Sequence, residues 1–217
     1  MVGEYFYSEY WERCWNNENV DDLMQYLSGW NGFKSEEIDI FKSQGVNHVC
    51  DVACGFGAHT LALLSNGFDV EAFDVSPRAV ELTTAGLKEY GYENVKVKIA
   101  SVLDTGYDDA SFDAVTAYSV MDHLTKKDLE KAIRELMRIV KEEGLVLISF
   151  DQPQDEDFII PHRLLEDGSM LYEEGTSNEG MIFHPYEDDE ISDLMNEHRV
   201  LFHKTNQKGD KIYILKK

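Results

Sequence analysis

Apolar residues along the chain change their period repeatedly, and each change marks an element. Residues 5–30 carry Tyr5, Phe6, Tyr7, Tyr10, Trp11, Trp15, Leu23, Tyr26, Leu27 and Trp30, many at helical spacing with acidic residues between them. This predicts one or two short aromatic helices, then a further helical stretch around Glu36–Ser43. From there short apolar runs alternate with helical patterns. Residues 46–53 predict a strand that ends in a glycine loop, and 59–65 a helix closed by Asn66-Gly67. Residues 68–73 predict a second strand ending at Asp74. Ser76-Pro77 is an N-cap with proline at the first helical position, opening a helix that runs to about Gly91. Val95, Val97 and Ile99 alternate with Lys96 and Lys98, the period of a half-buried strand near a sheet edge. A fourth strand is predicted over 112–118. Thr125 then caps a helix whose Leu129, Ala132, Ile133, Leu136, Met137 and Val140 form one apolar face, with Gly144 as its stop and 145–150 as a fifth strand. This rhythm predicts an α/β fold, a parallel sheet with helices on both faces.

The rhythm breaks after Asp151. Residues 151–183 are polar and glycine-rich, as in an inserted loop or hairpin. A helix over Asp188–Asn196 and two strands, 200–204 and 211–215, follow, the strands joined by Asn206-Gln207-Lys208-Gly209 as an antiparallel hairpin.

Composition narrows the function. The 217 residues suit one domain, and 43% are apolar, enough for a sizeable core. No apolar run approaches the roughly 20 residues that cross a bilayer, so a cytoplasmic protein without membrane association is expected. Forty-two acidic residues against 20 Lys and Arg give a formal charge of −22, which opposes nucleic acid and anionic lipid. Cys14, Cys50 and Cys54 are too few and too poorly spaced for a disulfide framework or a zinc site.

The candidate chemistry lies at the first strand. Gly55-Phe56-Gly57 sits between a strand and a helix start, where backbone approaches a ligand closely. Asp74 ends the next strand, where a carboxylate accepts hydrogen bonds from ribose hydroxyls. A dinucleotide fingerprint needs a third glycine three residues after Gly57, and Thr60 stands there. Asp51, inside the strand, would repel a pyrophosphate but suits a network around an ammonium. S-adenosylmethionine, with an ammonium, a sulfonium, a carboxylate and a ribose but no phosphate, fits these residues better than NAD.

The segment Asp51-Val52-Ala53-Cys54-Gly55-Phe56-Gly57, with Phe73-Asp74, resembles the class I S-adenosylmethionine-dependent methyltransferases. The runs Ala100-Ser101-Val102-Leu103-Asp104 and Ser111-Phe112-Asp113-Ala114-Val115 extend the resemblance over about residues 46–150. Tyr118-Ser119-Val120-Met121-Asp122-His123-Leu124 is similar to the small-molecule members. The resemblance implies a Rossmann-like, doubly wound, seven-stranded sheet of order 3-2-1-4-5-7-6 with strand 7 antiparallel, and S-adenosyl-L-methionine as cofactor. It divides a single methyltransferase domain into an N-terminal helical lid (1–45), a cofactor-binding core (46–150), an acceptor-side insertion (151–186) and a C-terminal helix and hairpin (187–217).

The resemblance also implies that Asp51 and the 55–57 loop face the methionine end, Asp74 holds the ribose, and Ser101 and Val102 border adenine. Ala53, Cys54, Gly55, Gly57, Thr60, Val75 and Tyr118 complete the expected cofactor site. Tyr5, Tyr7, Tyr10 and Trp11 either dock a helix on the core or form a lid over the cofactor, and the resemblance favours the lid for at least Tyr10 or Trp11. Two positions depart from the family. Ala53 replaces the first glycine, a change expected to cost little. Ser101 stands where many relatives carry an acid, with Asp104 as the alternative partner for adenine.

Methyl transfer from a sulfonium is an in-line displacement that mainly needs alignment and exclusion of water. His123 is the candidate base and Tyr118 lines the donor–acceptor junction. His59 is expected beside the methionine carboxylate, and His184 belongs to the insertion over the acceptor. Asp122 and Asp151 lack a third oxygen ligand, so no metal is expected. The expected partner is a small-molecule acceptor, acting on a monomer or homodimer. A protein methyltransferase and a non-catalytic S-adenosylmethionine or S-adenosylhomocysteine binder remain the alternatives. The Asn/Asp-Pro-Pro-aromatic motif of nucleic-acid enzymes is missing after the fourth strand.

Overall fold

The computed structural model describes residues 4–29 and 35–217, with side chains from Tyr7 onward. Trp30 and the side chains of Tyr5 and Phe6 lie outside the described residues. Three helices open the chain: α1 (Glu4–Asn16), α2 (Val20–Gly29) and α3 (Glu36–Ser43). Strand and helix then alternate through β1 (His48–Val52), α4 (Ala58–Ser65), β2 (Asp69–Asp74), α5 (Pro77–Glu89), β3 (Lys96–Ile99) and β4 (Phe112–Ala117). A 3-10 turn, Met121–His123, precedes α6 (Lys126–Ile139) and β5 (Val140–Phe150). The rest comprises α7 (Asp155–Ile159), β6 (His162–Leu164), β7 (Met170–Tyr172), β8 (Ile182–Phe183), α8 (Asp188–Asn196), β9 (Arg199–Thr205) and β10 (Lys211–Lys216).

The main sheet has the order β3-β2-β1-β4-β5-β10-β9. The first five strands pair in parallel, and β10 runs antiparallel to both β5 and β9. With β9 and β10 as the sixth and seventh strands, this is the doubly wound 3-2-1-4-5-7-6 arrangement.

Its two faces are covered by different helices, and strand parity divides the core accordingly. Val49, Ala114, Leu145 and Leu147 pack with Ile38 and Phe41 of α3 and with Ala62 and Leu63 of α4. Their chain neighbours Cys50, Val115, Val146 and Ile148 pack on the other face with Leu129, Ile133 and Leu136 of α6 and Ile191 of α8. Burial on both faces makes these strands continuous apolar runs. Each fully buried Leu or Ile contributes about 2 kcal/mol.

Helix starts follow the sequence signals. Ser76 Oγ accepts from the Ala79 amide at 3.0 Å with Pro77 behind it, and Thr125 Oγ1 accepts from the Asp128 amide at 3.3 Å. The end of α6 differs from expectation. The helix stops at Ile139, and Val140 already pairs with Phe112 as the first residue of β5. Gly144 is required inside β5 for space, since a Cβ there would sit 2.7 Å from the Asp113 carbonyl oxygen. The insertion also holds more structure than a loop or hairpin. Its strands β6, β7 and β8 form a second, antiparallel sheet, each too short for alternation to show in the sequence.

Candidate active site

The strand order reverses between β1 and β4, and the crevice beyond the carboxyl ends of a doubly wound sheet opens at such a point. A cavity of about 320 Å³ lies there. Its walls come from the ends of four strands: Ala53, Cys54 and Gly55 after β1, Asp74 and Val75 after β2, Ala100 to Leu103 after β3, and Tyr118 to Val120 after β4. Phe56, Ala58 and His59 close one side, His123 and Leu124 another, and Tyr7, Trp11 and Trp15 of α1 with Tyr26 of α2 form the roof. Among the described residues, no Lys or Arg lines it.

Asp74 is the buried charge of this cavity, 4% exposed. Its Oδ2 accepts from the Gly55 amide at 2.9 Å and its Oδ1 from the Ser76 amide at 2.9 Å. One carboxylate therefore ties the glycine loop to the start of α5. Desolvation pushes its pKa above the usual range, opposed by these amides. Gly55 has φ of +56°, and a Cβ there would approach the Trp15 ring to 2.9 Å. The Ser101 hydroxyl oxygen accepts from the Leu103 amide at 3.1 Å, so its proton remains available to a ring nitrogen. Asp104 is exposed and lies off the cavity.

Four of the expected site residues do not reach the cavity. Asp51 is buried on the α4 side of the sheet, accepting from Thr60 Oγ1 at 2.6 Å and from Thr116 Oγ1 at 2.8 Å. Strand parity explains this: Asp51 shares the face of Val49, under α4, where Thr60 meets it. Desolvation raises its pKa to about 6. Asp51 and Thr60 therefore brace the loop from beneath. Gly57, with φ of +88°, packs against Thr83 of α5, where a Cβ would come within 2.9 Å of Cγ2. Tyr10 turns to the second sheet, in a cluster with Met170, Tyr172, Met181 and Phe183. The substitution of alanine for the family's first glycine is also less innocuous than expected. Ala53 has φ of +52°, a left-handed conformation costing an L-residue roughly 1–2 kcal/mol. Ser119, also on the cavity wall, has φ of +51°.

Tyr7, Trp11 and Trp15 lie four residues apart and so share one face of α1. The sequence carries that stripe, and Trp15 is its member that motif reasoning missed. The helix is fastened at two helix starts. Tyr7 donates to Asp128 Oδ2 at 2.7 Å and accepts from the Thr125 amide at 3.2 Å. Glu12 Oε2 accepts from Ser76 Oγ at 2.6 Å and the Arg78 amide at 3.1 Å. Desolvation raises the Glu12 pKa, but these hydrogen bonds outweigh it and hold the carboxyl below its usual range.

The rest of the wall holds the remaining candidates. His59 stacks on Tyr118 with ring centroids 4.0 Å apart and planes 9° from parallel. Burial lowers the His59 pKa to about 4 and raises that of Tyr118, so both rings are neutral at pH 7. His123 meets Trp11 edge-to-face at 4.9 Å, with Nδ1 3.3 Å from the Ile182 carbonyl oxygen and Nε2 3.8 Å from Asp122 Oδ2. His123 thus supplies a third donor, a nitrogen, beside the carboxylates of Asp122 and Asp151. His184 stays outside the cavity, joining Ser169 Oγ at 3.1 Å and Glu190 Oε1 at 3.4 Å.

Comparison with known proteins agrees with this geometry. Residues 49–144 match a family model described as a methyltransferase domain. A glycine/sarcosine N-methyltransferase of Parasynechococcus marenigrum is 30% identical over 171 residues, covering 71% of this chain and 54% of the relative. An uncharacterized methyltransferase of Bacillus subtilis is 27% identical over 135 residues, 60% of this chain and 53% of that protein. The chain thus spans about half the length of these curated relatives. A 1,6-didemethyltoxoflavin-N1-methyltransferase of Burkholderia thailandensis, solved with S-adenosylhomocysteine, superposes with a TM-score of 0.70 at 14% identity, covering 100% of this chain and 91% of that one. An S-adenosylmethionine-dependent methyltransferase of Methanosarcina mazei gives 0.67 at 18% identity, over 85% and 98% of the two chains. Residues 49–144 are thus similar to a methyltransferase domain, and the fold is the one these solved methyltransferases share.

Proposed function

We propose that this chain transfers a methyl group from S-adenosyl-L-methionine to a small-molecule acceptor. The observation that carries the reading is the cavity's chemistry: a buried carboxylate, a roof of aromatic rings and, among the described residues, no Lys or Arg in the lining. A pyrophosphate has no counter-charge there, whereas a cationic nucleoside does. Asp74 would accept from the ribose hydroxyls, Ser101 and Val102 would border adenine, and the loop 53–55 would meet the methionine end. The aromatic faces of Trp11, Trp15 and Tyr118 suit a sulfonium. When bound, the cofactor supplies a methyl group on an already good leaving group.

The protein's part is alignment and exclusion of water. On this reading α1 is the lid, its tryptophans closing the cavity, while Tyr118 flanks the junction with the acceptor. His123, Val120 and Leu124 form the acceptor's wall, and His123 acts there together with Asp122 and Asp151. The roof of α1 limits the acceptor to a small molecule, and the net charge of −22 disfavours nucleic acid. Among the described residues no helix is long and apolar enough to cross a membrane. The chain is read as one working domain. Incubation with methyl-labelled cofactor and a metabolite pool tests the proposal: label should enter low-molecular-weight products, and His123→Ala should slow transfer while cofactor binding persists. Bound cofactor with no labelled small product contradicts it.

A further inference from the structure

Asp122, His123 and Asp151 converge at the carboxyl ends of β4 and β5, offering one donor atom each, all within 4.8 Å of one another. Their hydrogen bonding is incomplete in a specific way. Asp122 is 1% exposed, and neither of its carboxylate oxygens has a hydrogen-bond partner. The amides of Asp122 and Asp151 lean toward it and offset part of its desolvation without reaching hydrogen-bond geometry. Among the described residues no Lys or Arg pairs with either carboxylate. An ionised carboxylate buried this way is costly unless a positive charge lies against it.

The imidazole completes the argument. A carbonyl oxygen only accepts, so the 3.3 Å contact from His123 Nδ1 to Ile182 places the proton on Nδ1. In the neutral imidazole Nε2 then carries a lone pair toward Asp122, 3.8 Å from Oδ2. A backbone carbonyl behind the far ring nitrogen is the support that metal-ligating histidines receive. Ser119 does the same for Asp151, its hydroxyl donating to Oδ1 at 2.8 Å. Ser119 holds this position in the left-handed conformation, with its amide on Ser149 Oγ at 2.8 Å. With a neutral imidazole and ionised carboxylates, three acceptors face one another, two of them oriented from behind.

We propose that Asp122, His123 and Asp151 bind a first-row divalent cation at the acceptor-side wall of the cavity. Two carboxylates and one imidazole suit manganese to zinc better than calcium, which takes six to eight oxygens. At metal–ligand distances of about 2.1 Å, neighbouring ligand atoms lie about 3.0–3.4 Å apart, so the 3.8 Å between His123 Nε2 and Asp122 Oδ2 shortens on binding. Three protein ligands leave positions open toward Ser119 and Val120 of the cavity, for water or for an oxygen or nitrogen of the acceptor. His123 then acts as a ligand, and the cation lowers the pKa of an acceptor hydroxyl. The cation site itself does not depend on the methyl-transfer reading.

The test is titration of the chelator-stripped full chain with Mn²⁺ and with Zn²⁺, without acceptor. One equivalent should bind saturably per chain, and D122N and D151N should each weaken it at least thirtyfold. Manganese bound to the parent should show nitrogen coupling by pulsed electron paramagnetic resonance, lost in His123→Gln. D151N changes a partly exposed side chain and keeps the test decisive if D122N misfolds. Binding that is non-saturable, or equal in parent and D151N, overturns the proposal and marks diffuse attraction to an acidic surface. So does a histidine found doubly protonated between the carboxylates, a proton serving instead of a metal. S-adenosylhomocysteine binding, measured alongside, reports separately on the proposed function.

Discussion

Two residues on the cavity wall bear its tension most directly. Ala53 keeps a left-handed conformation that glycine would adopt without strain, at the place where the chain turns out of β1. Ala53→Gly should therefore raise the unfolding free energy by about 0.5–1 kcal/mol, the relieved strain exceeding the added flexibility of the unfolded chain. Denaturant titration checks this, and an unchanged or lower midpoint contradicts the assignment. His59 makes a pH-dependent contribution. Its folded pKa of about 4 lies below the ordinary 6.5, so between those values the unfolded chain binds the proton more readily and stability falls on acidification. Asp51 works in the opposite sense. Its pKa is raised from 3.8 to about 6, so its contribution is full at low pH and is lost as pH rises through that window. The two partly cancel in the parent. In His59→Gln the acid-sensitive part disappears, and the stability lost from pH 7 to pH 4 should shrink by about 3 kcal/mol. Equal losses in parent and variant would mean that the ring is not held neutral by burial.

At the scale of elements, α1 forms part of the cavity's roof. It is anchored by Tyr7 at the start of α6 and by Glu12 at the start of α5, two helix N-termini where unpaired amides and the helix dipole favour an acceptor. Glu12→Ala removes the second anchor without touching the cavity lining. It should weaken S-adenosylhomocysteine binding about tenfold and speed hydrogen exchange along α1, with α6 unaffected. Unchanged affinity would show that α1 docks on the core without serving as a lid. How much of this was legible depended on the range of the signal. The caps at Ser76 and Thr125, the alternating β3 and the final hairpin are local patterns, and each appears where the sequence indicates. The end of α6 did not, because Val140 satisfies a helical face and a strand equally well, and only its pairing with Phe112 decides. The three short strands of the insertion carry no periodicity at all.

For the whole molecule, the motif-bearing residues at strand ends were legible because β1, β2, β3 and β4 all deliver their carboxyl ends to one crevice. Asp74, Gly55, Ser101 and Tyr118 meet there although up to 63 residues separate them in sequence, counted from 55 to 118. What the motif left out was the side of the sheet on which a residue sits. That is why Asp51 and Thr60, conspicuous in sequence, brace the floor, while Trp15 and Tyr7, remote from the motif, roof the cavity. A molecule built this way should recognise a phosphate-free adenosyl amino acid. Isothermal titration of the full chain with S-adenosylhomocysteine and with NAD measures this directly. One site of micromolar affinity is expected for S-adenosylhomocysteine, with no heat from NAD and at least a thirtyfold loss in Asp74→Ala that still melts cooperatively. Clear binding of NAD with none of S-adenosylhomocysteine would contradict the account.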